Sequence, residues 1–260
     1  MYSKRVFLTV GTITLALALA VSTFSAIKIS AYAQTSRSGS QIASLGDKWW
    51  QRYLSMEVTP QTNPFTRVFQ GDCSQLIQGN TIFLVGQVFG TSIVNHGTCI
   101  ISPQTSLLFP LINGVDVDCQ NMNQQMHISV PGVCTFTKQT PARGEPFGPL
   151  RSLASVSGAT NLAAFLVSGA TTVPLNFVRA QSPPGGFEVL VAVNNIFGAN
   201  IGPVPVPLHG VSDGFWVLLP SLPLGLHALT FGGCLPKVGC QTNIPYLYDN
   251  YNVSLMLTRY

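Results

Sequence analysis

Charge is what this chain has least of. Asp, Glu, Lys and Arg supply 8% of its 260 residues, against about 25% in ordinary soluble domains. The dense basic footprint needed to grip nucleic-acid phosphates is missing, so no nucleic-acid partner is expected. No run of Lys or Arg offers a foothold on an anionic membrane surface. Cys-x-x-Cys, His-Glu-x-x-His and a phosphate-cradling glycine loop are all absent. These absences exclude, by motif, a thiolate zinc site, a zincin and a nucleotide P-loop. Internal repeats and an obvious linker are missing too. Hydrophobic residues make up 46%, the reverse of the composition that keeps a chain disordered.

What is present begins with a leader. Lys4 and Arg5 precede an uncharged apolar stretch over 6–27, and Ala31-Tyr32-Ala33 follows as a small-x-small peptidase site. That order is expected of a signal peptide over 1–33. The 6–27 run is also long enough to span a bilayer, and Lys28 directly after it is unusual in a removable signal, so an uncleaved anchor is the alternative. Lys4 and Arg5 hold the amino terminus inside in either case. Both readings make the remainder secreted or extracytoplasmic, with membrane contact only through an uncleaved leader. Cleavage after Ala33 removes Lys4, Arg5 and Lys28, leaving ten basic and nine acidic residues, a net charge of +1.

All six cysteines, Cys73, Cys99, Cys119, Cys134, Cys234 and Cys240, follow the leader. An even number in an oxidising compartment reads as a disulfide framework with fifteen possible connectivities. Short loops cost least entropy to close, which selects Cys73–Cys99, Cys119–Cys134 and Cys234–Cys240. Each bond is expected to stabilise by roughly 2–4 kcal/mol.

Ile42, Leu45, Trp49, Tyr53 and Met56 recur at helical spacing, which predicts an amphipathic helix capped by Ser40 and stopped before Pro60. β-rich runs follow at 81–89, 99–101 and 107–112. The nearly continuous apolar run 187–193 predicts a strand buried on both faces. Runs 215–219, after the turn dipeptide Asp213-Gly214, and 226–231, after Pro223-Leu224-Gly225, are expected to pair as a hairpin. Pro203, Pro205 and Pro207 exclude a central strand there. Residues 120–125 and 140–149 read as loops. Period-two alternation from Tyr251 to Thr258 predicts a half-buried last strand. The sum is a mainly β chain: a single β-sandwich or jelly-roll-like domain over 40–260, with one N-terminal amphipathic helix packed on it.

Few residues suggest chemistry. Asp116 and Asp118, preceded by Asn113, follow the run ending at Ile112. Alternate positions on an extended chain put both carboxylates on one side, and hard oxygen ligands suit calcium. A polar turn explains the same residues, and no other cofactor is expected. The two acids, or Asp213, are the candidates for glycoside hydrolysis. His127, His209 or His227 would have to complete any serine triad, without a legible orienting partner. Trp49, Trp50 and seven tyrosines allow sugar stacking, but the helical register makes burial the better account of Trp49. Asn252-Val253-Ser254 is a glycosylation acceptor by pattern.

Two stretches carry a resemblance. The first runs Trp49-Trp50, Asn63-Pro64, Gly71-Asp72-Cys73, Gln78, Ile82-Phe83-Leu84-Val85-Gly86, Cys99-Ile100-Ile101-Ser102-Pro103 and Leu107-Leu108-Phe109-Pro110-Leu111-Ile112-Asn113. The second runs Asp213-Gly214-Phe215-Trp216, Leu222-Pro223-Leu224-Gly225-Leu226-His227 and Phe231-Gly232-Gly233, before a terminal strand. Together they resemble a family of uncharacterised secreted microbial proteins, over roughly 47–113 and 213–258. The resemblance implies export, a β-rich fold and pairing of Cys73 with Cys99. It implies no reaction and no catalytic residue.

The expected function is therefore that of a non-enzymatic, disulfide-stabilised extracytoplasmic β-sandwich acting in envelope interaction or ligand binding, with a protein or glycan partner at the cell envelope. A calcium-stabilised carbohydrate-binding module using Asp116 and Asp118 is one alternative. A secreted hydrolase acting on glycan or polymer through Asp116, Asp118 or Asp213 is the other.

Overall fold

The computed structural model describes residues 38–86, 94–118, 134–135, 148–198, 204–236 and 248–255. The expected leader, His127, Cys119, Cys240, the loop 120–125 and most of the loop 140–149 lie outside them. Among the described residues no helix is long and apolar enough to cross a membrane.

The expected helix is α1 (Gly39–Leu54). Ile42, Trp49, Trp50, Tyr53 and Leu54 are buried, and Leu45 packs against them. Its cap is Ser38, not Ser40. The chain is extended at Ser38, whose Oγ accepts from the Gln41 amide at 3.4 Å, whereas Ser40 lies within the first turn. The helix closes at Leu54, well before Pro60, with the Ser55 amide still donating to Gln51 O at 3.1 Å.

The remaining elements are β1 (Phe69–Gly71), β2 (Ile77–Gln78), β3 (Thr81–Phe83), β4 (Val94–Ile101), β5 (Ser106–Asp118), β6 (Cys134–Thr135), α2 (Gly148–Ala154), β7 (Thr160–Ser168), β8 (Thr171–Pro174), β9 (Val178–Gln181), β10 (Phe187–Val191), β11 (Val206–Leu219), β12 (Gly225–Cys234) and β13 (Tyr248–Leu255). Gly148 and Pro149, expected in a loop, open α2, where a missing N–H costs nothing.

Six strands form one sheet in the order β1-β4-β13-β12-β7-β8. Seven form another along β10-β11-β5-β3-β2, with β9 also on β11 and β6 also on β5. Pairing is mixed: β1–β4, β4–β13, β3–β5 and β5–β6 run parallel. Trp216 and Val217 of β11 stand opposite Pro110 and Phe109 of β5, so neighbouring positions point to opposite faces. On one face Trp216 lies against Trp49 of α1, ring centroids 5.8 Å apart. On the other, Phe109 tilts over Phe231 of β12 at 4.4 Å. The seven-stranded sheet is thus the middle layer between α1 and the six-stranded sheet, a sandwich with its helix on one outer face.

Four local expectations are corrected. Runs 215–219 and 226–231 form no hairpin: β11 and β12 belong to different sheets, because the proline-bearing connection 220–224 carries the chain from one layer to the other. Asp213-Gly214 is no turn but the interior of β11, paired with Gly114 and Asn113. A Cβ on Gly214 would lie 2.6 Å from Trp216 Nε1, so glycine there makes room for the indole. β10 is not buried on both faces. Phe187, Val189 and Val191 are buried, while Glu188 is exposed and Leu190 is 52% exposed. Asn113, Asp116 and Asp118 form no turn either, since β5 continues through them to Asp118. Among the described residues, Pro207 pairs only with Leu190 of β10, since the described part of β5 ends at Asp118, opposite His209.

Helix α1 also covers the outer edge of β10. Gln51 Nε2 donates to Glu188 O at 2.8 Å, and the Ala192 amide donates to Leu54 O at 2.9 Å. One carbonyl of this edge strand and the amide just beyond it are thereby satisfied within the chain.

Cys73 and Cys99 are joined, tying the segment after β1 to β4. Cys234 is also disulfide-bonded. The pairings Cys119–Cys134 and Cys234–Cys240 each involve a residue outside the described set. Cross-linking of this kind is compatible with an extracytoplasmic location. The Cys73–Cys99 loop spans 26 residues, so its closure is worth about 3.5 kcal/mol in the chain-entropy account. The Cys73→Ala/Cys99→Ala double variant should lose about that much stability, read from the urea midpoint and slope.

Candidate functional site

A cleft of about 540 Å³ opens between two loops, one following α1 and the other following β10. Val58, Thr59, Pro60 and Asn63 form one wall, and Val193, Asn194, Asn195 and Gly198 the other. Its size falls in the range of small-ligand sites.

Both walls are fixed by hydrogen bonds. The Thr62 and Asn63 amides donate to Thr59 O, and the Thr59 amide donates to Thr62 Oγ1 at 2.7 Å, so the first loop closes on itself. Asn63 Oδ1 accepts from the Phe65 amide and Asn195 Oδ1 from the Phe197 amide, at 3.0 and 3.1 Å. These are the local amide turns for which asparagine is favoured in loops. Between the loops, the Val58 amide donates to Asn194 O at 2.8 Å and Asn63 Nδ2 to Ile196 O at 3.0 Å. Aromatic rings stand behind the loops: Phe65 packs on Trp49 and Tyr53, while Trp50 stacks with Phe197 at 6.3 Å.

The expected acids lie elsewhere, on one face of the middle sheet. Asp116 stands opposite Val211, Asp118 opposite His209, and Asp213 opposite Gly114. Directly paired residues share a face, so all three carboxylates belong to it. Helix α2 packs there through Leu150 and Ala154 against Val211. An added Cβ on Gly114 would sit 2.2 Å from Ala154 O, which shows how closely α2 approaches.

Their environments differ. Asp116 is buried, and its Oδ1 accepts from the Val117 amide at 3.1 Å. Asp118 is half-buried. Its strand partner His209 is exposed and lies 3.6 Å from Glu188 across β10. Among the described residues no group of three His, Cys, Asp or Glu side chains is placed to hold a metal ion. Asn113 stands opposite Gly214, three positions before Asp116.

Asp213 is committed to structure. Arg179 reaches it through Nε at 3.1 Å and Nη2 at 2.6 Å, Gln181 Nε2 at 3.1 Å, and the Val156 amide at 3.0 Å. Burial pushes its carboxyl up, but the hydrogen bonds from Arg179, Gln181 and Val156, with the Arg179 charge, outweigh this and hold it below the ordinary carboxylate range. A carboxylate so held does not serve as a proton donor near neutrality.

A further buried acid escaped the sequence reading. Asp47 of α1 accepts hydrogen bonds from Ser182 Oγ and, at 2.9 Å, from Ser212 Oγ. Burial raises its carboxyl above the ordinary range, against the hydroxyl bonds and the charge of Arg151. The trio joins helix to sheet.

The remaining candidates do not converge. His96 and His227 are buried in different strands of the six-stranded sheet. His227 Nε2 donates to Pro223 O at 2.8 Å, which the neutral ring allows. Trp49 and Trp50 are buried, so neither offers a face for stacking on sugar. Asn252 lies in β13, between β12 and β4.

The cleft was missed because its walls lie more than a hundred positions apart in the chain. Locally, the turn-forming run from Thr59 to Pro64 and the Asn194-Asn195 pair marked loops, but nothing in them marked proximity. Compared with family models, curated proteins and solved structures, the chain matches none. Function is therefore argued from its own geometry.

Two opposite pH dependences follow from the buried acids. Asp213 has a depressed folded pKa, so its contribution is present above about pH 4 and is lost as pH falls through the folded value. Asp213→Asn should cost about 1–3 kcal/mol at pH 7 and flatten the acid limb of a stability–pH curve. Asp47 has a raised folded pKa, so its contribution is complete below about pH 4 and declines as pH rises through the folded value. Asp47→Asn should remove that decline. Urea unfolding of each variant across pH checks both signs.

Proposed function

We propose that this chain is a secreted or envelope-associated, disulfide-stabilised β-sandwich that binds a ligand and performs no chemistry on it. One observation carries the reading: a ligand-sized cleft whose two loops are stitched together by the Val58–Asn194 and Asn63–Ile196 hydrogen bonds. Loops held by a rigid scaffold are where binding residues concentrate, and walls already ordered cost little to occupy. The leader, the Cys73–Cys99 bond and the low charge support a place outside the cytoplasm, at the envelope or beyond it.

The hydrolase alternative needs a proton donor beside a second acid. Asp213 is held ionised by Arg179, which argues against it in that role. The calcium alternative rests on Asp116 and Asp118, which lie on the sheet face away from the cleft-forming loops.

The test is a titration of the isotopically labelled protein with soluble envelope fragments. Amides of 58–63 and 193–198 should shift, and Val193→Arg, which fills the cleft with a long cation, should weaken binding at least tenfold. Turnover of a fragment that Asp118→Asn or Asp213→Asn abolishes would contradict the proposal, as would shifts centred on Asp118, His209 and Glu188.

A further inference from the structure

We infer that Asp47, Ser182 and Ser212 form a proton-operated clasp: a protonated Asp47 holds the first half of α1 on the sheet, and ionisation lets that half lift while the second half stays docked. This does not depend on the binding reading above.

The two halves of the helix are held differently. From Trp49 onward, four side chains bond to the body of the protein. Trp49 Nε1 donates to Leu84 O, Gln51 Nε2 to Glu188 O, Arg52 Nη2 to Gln75 O and the Tyr53 hydroxyl to Phe83 O. Between Gly39 and Asp47 the buried residues are Ile42, Ala43, Gly46 and Asp47 itself. Among the described residues of that half, Asp47 alone bonds to the body of the protein. Ile42 and Ala43 cover less apolar area than the two indoles and the phenol that follow. Lifting the first half therefore breaks few contacts besides the clasp, and a freed stretch so short does not stay helical.

The clasp suits a neutral side chain. Asp47 is 6% exposed, Ser182 4% and Ser212 3%. Asp47 Oδ1 accepts from Ser182 Oγ and, at 2.9 Å, from Ser212 Oγ. The serines are tied to each other without the helix, since the Ser212 amide donates to Ser182 Oγ at 2.7 Å and the Ser182 amide to Ser212 O at 2.9 Å.

Hydroxyls carry no charge, and among the described residues no cation bonds to the carboxylate. Arg151 of α2 acts on it through charge alone, while donating to Ser182 O at 2.8 Å and to Pro183 O. Lys48, the next residue of α1, is exposed. Arg179 of β9 and Asp213 of β11 pair with each other on the opposite face of the sheet, and Glu188 of β10 is exposed, 3.6 Å from His209. An ionised Asp47 has thus lost water without gaining a paired counter-charge. Burial accordingly outweighs the two hydroxyl bonds and Arg151, and raises the carboxyl above its ordinary range. Proton and seated helix favour each other. Seating is firmest below about pH 4 and weakens as pH rises through the folded value.

The experiment is native-state hydrogen exchange of the disulfide-bonded protein from about pH 4 to pH 8, with and without low urea, each rate corrected for intrinsic chemistry. The Leu45, Gly46 and Asp47 amides donate within the first half of the helix and report its lifting. The Ala192 amide, bonded to Leu54 O, reports the second half, and the Leu84 amide reports the sheet. Protection of the three helix amides should be insensitive to low urea, as for an opening that exposes little surface. It should fall about tenfold per pH unit above pH 4 and level off past the folded value of Asp47. Ala192 should follow Leu84. Asp47→Asn, whose amide oxygen still accepts from the hydroxyls, should abolish the slope. Ser212→Ala removes a bond that favours the ionised form and should move the levelling-off to higher pH. Exchange of the three amides in step with Leu84 as urea rises would show that the helix leaves only with the whole fold, and would overturn the clasp. So would a slope that survives Asp47→Asn. Should that variant fail to fold, an unmoved levelling-off in Ser212→Ala overturns it equally.

Discussion

Trp49 is the residue around which the rest is arranged. It is fully buried, touches Trp50, Tyr53, Phe65 and Trp216 at ring-centroid distances of 4.8, 4.6, 5.7 and 5.8 Å, and donates its indole N–H to Leu84 O at 2.9 Å. Tyr53 one turn later donates its hydroxyl to Phe83 O. Two large amphipathic side chains thus bury their rings in one cluster while satisfying the backbone carbonyls where β3 ends. Burial of this kind is worth several kcal/mol per aromatic residue, and the hydrogen bonds fix the register that burial alone would leave loose. Gly46 serves the same contact, because a Cβ there would meet the Trp216 ring at 2.9 Å.

Docking of α1 has consequences at both of its ends. Near its start and middle, Asp47 reaches Ser182 and Ser212, fixing the helix over β9 and β11. Its last turn covers the β10 edge through Gln51 and Leu54, so the chain leaving the helix runs directly past the chain leaving β10. The cleft is the gap between these two exits. Its walls are therefore set by the same packing that builds the core, which is why the proposed ligand site lies on loops yet has fixed geometry. The charge-poor composition fits this arrangement. The described lining of the cleft is uncharged, and the Arg179–Asp213 pair lies on the other face of the sheet.

How much of this was legible in the sequence depended on the range of the interactions involved. The helix was legible because its spacing reports its own buried face, and the strands around Cys99, Leu107 and Tyr251 because their composition does. Connectivity was not. Whether 215–219 and 226–231 pair or part is decided by which layer each strand joins, and a short proline-bearing link is compatible with either. Asp213-Gly214 favours a turn only while its neighbours are unknown. With Trp216 needing space at Gly214 and Arg179 needing a partner at Asp213, the same dipeptide becomes the middle of a long strand. Asp116 and Asp118 looked like a surface turn because acids usually are one, and β5 simply runs on beneath α2. Of the proposed site, the sequence offered loops but no hint that Val58 meets Asn194 or that Asn63 meets Ile196.

The central claim is that helix docking holds the cleft walls in place before any ligand arrives. Native-state hydrogen exchange of the Val58 and Ala192 amides tests it most directly, since their acceptors are Asn194 O and Leu54 O. The account predicts exchange as slow as that of the Leu84 amide, which donates to Leu108 O within the middle sheet, with opening only on global unfolding. Rapid exchange of Val58 and Ala192 while Leu84 stays protected would show walls that open on their own, and would contradict it.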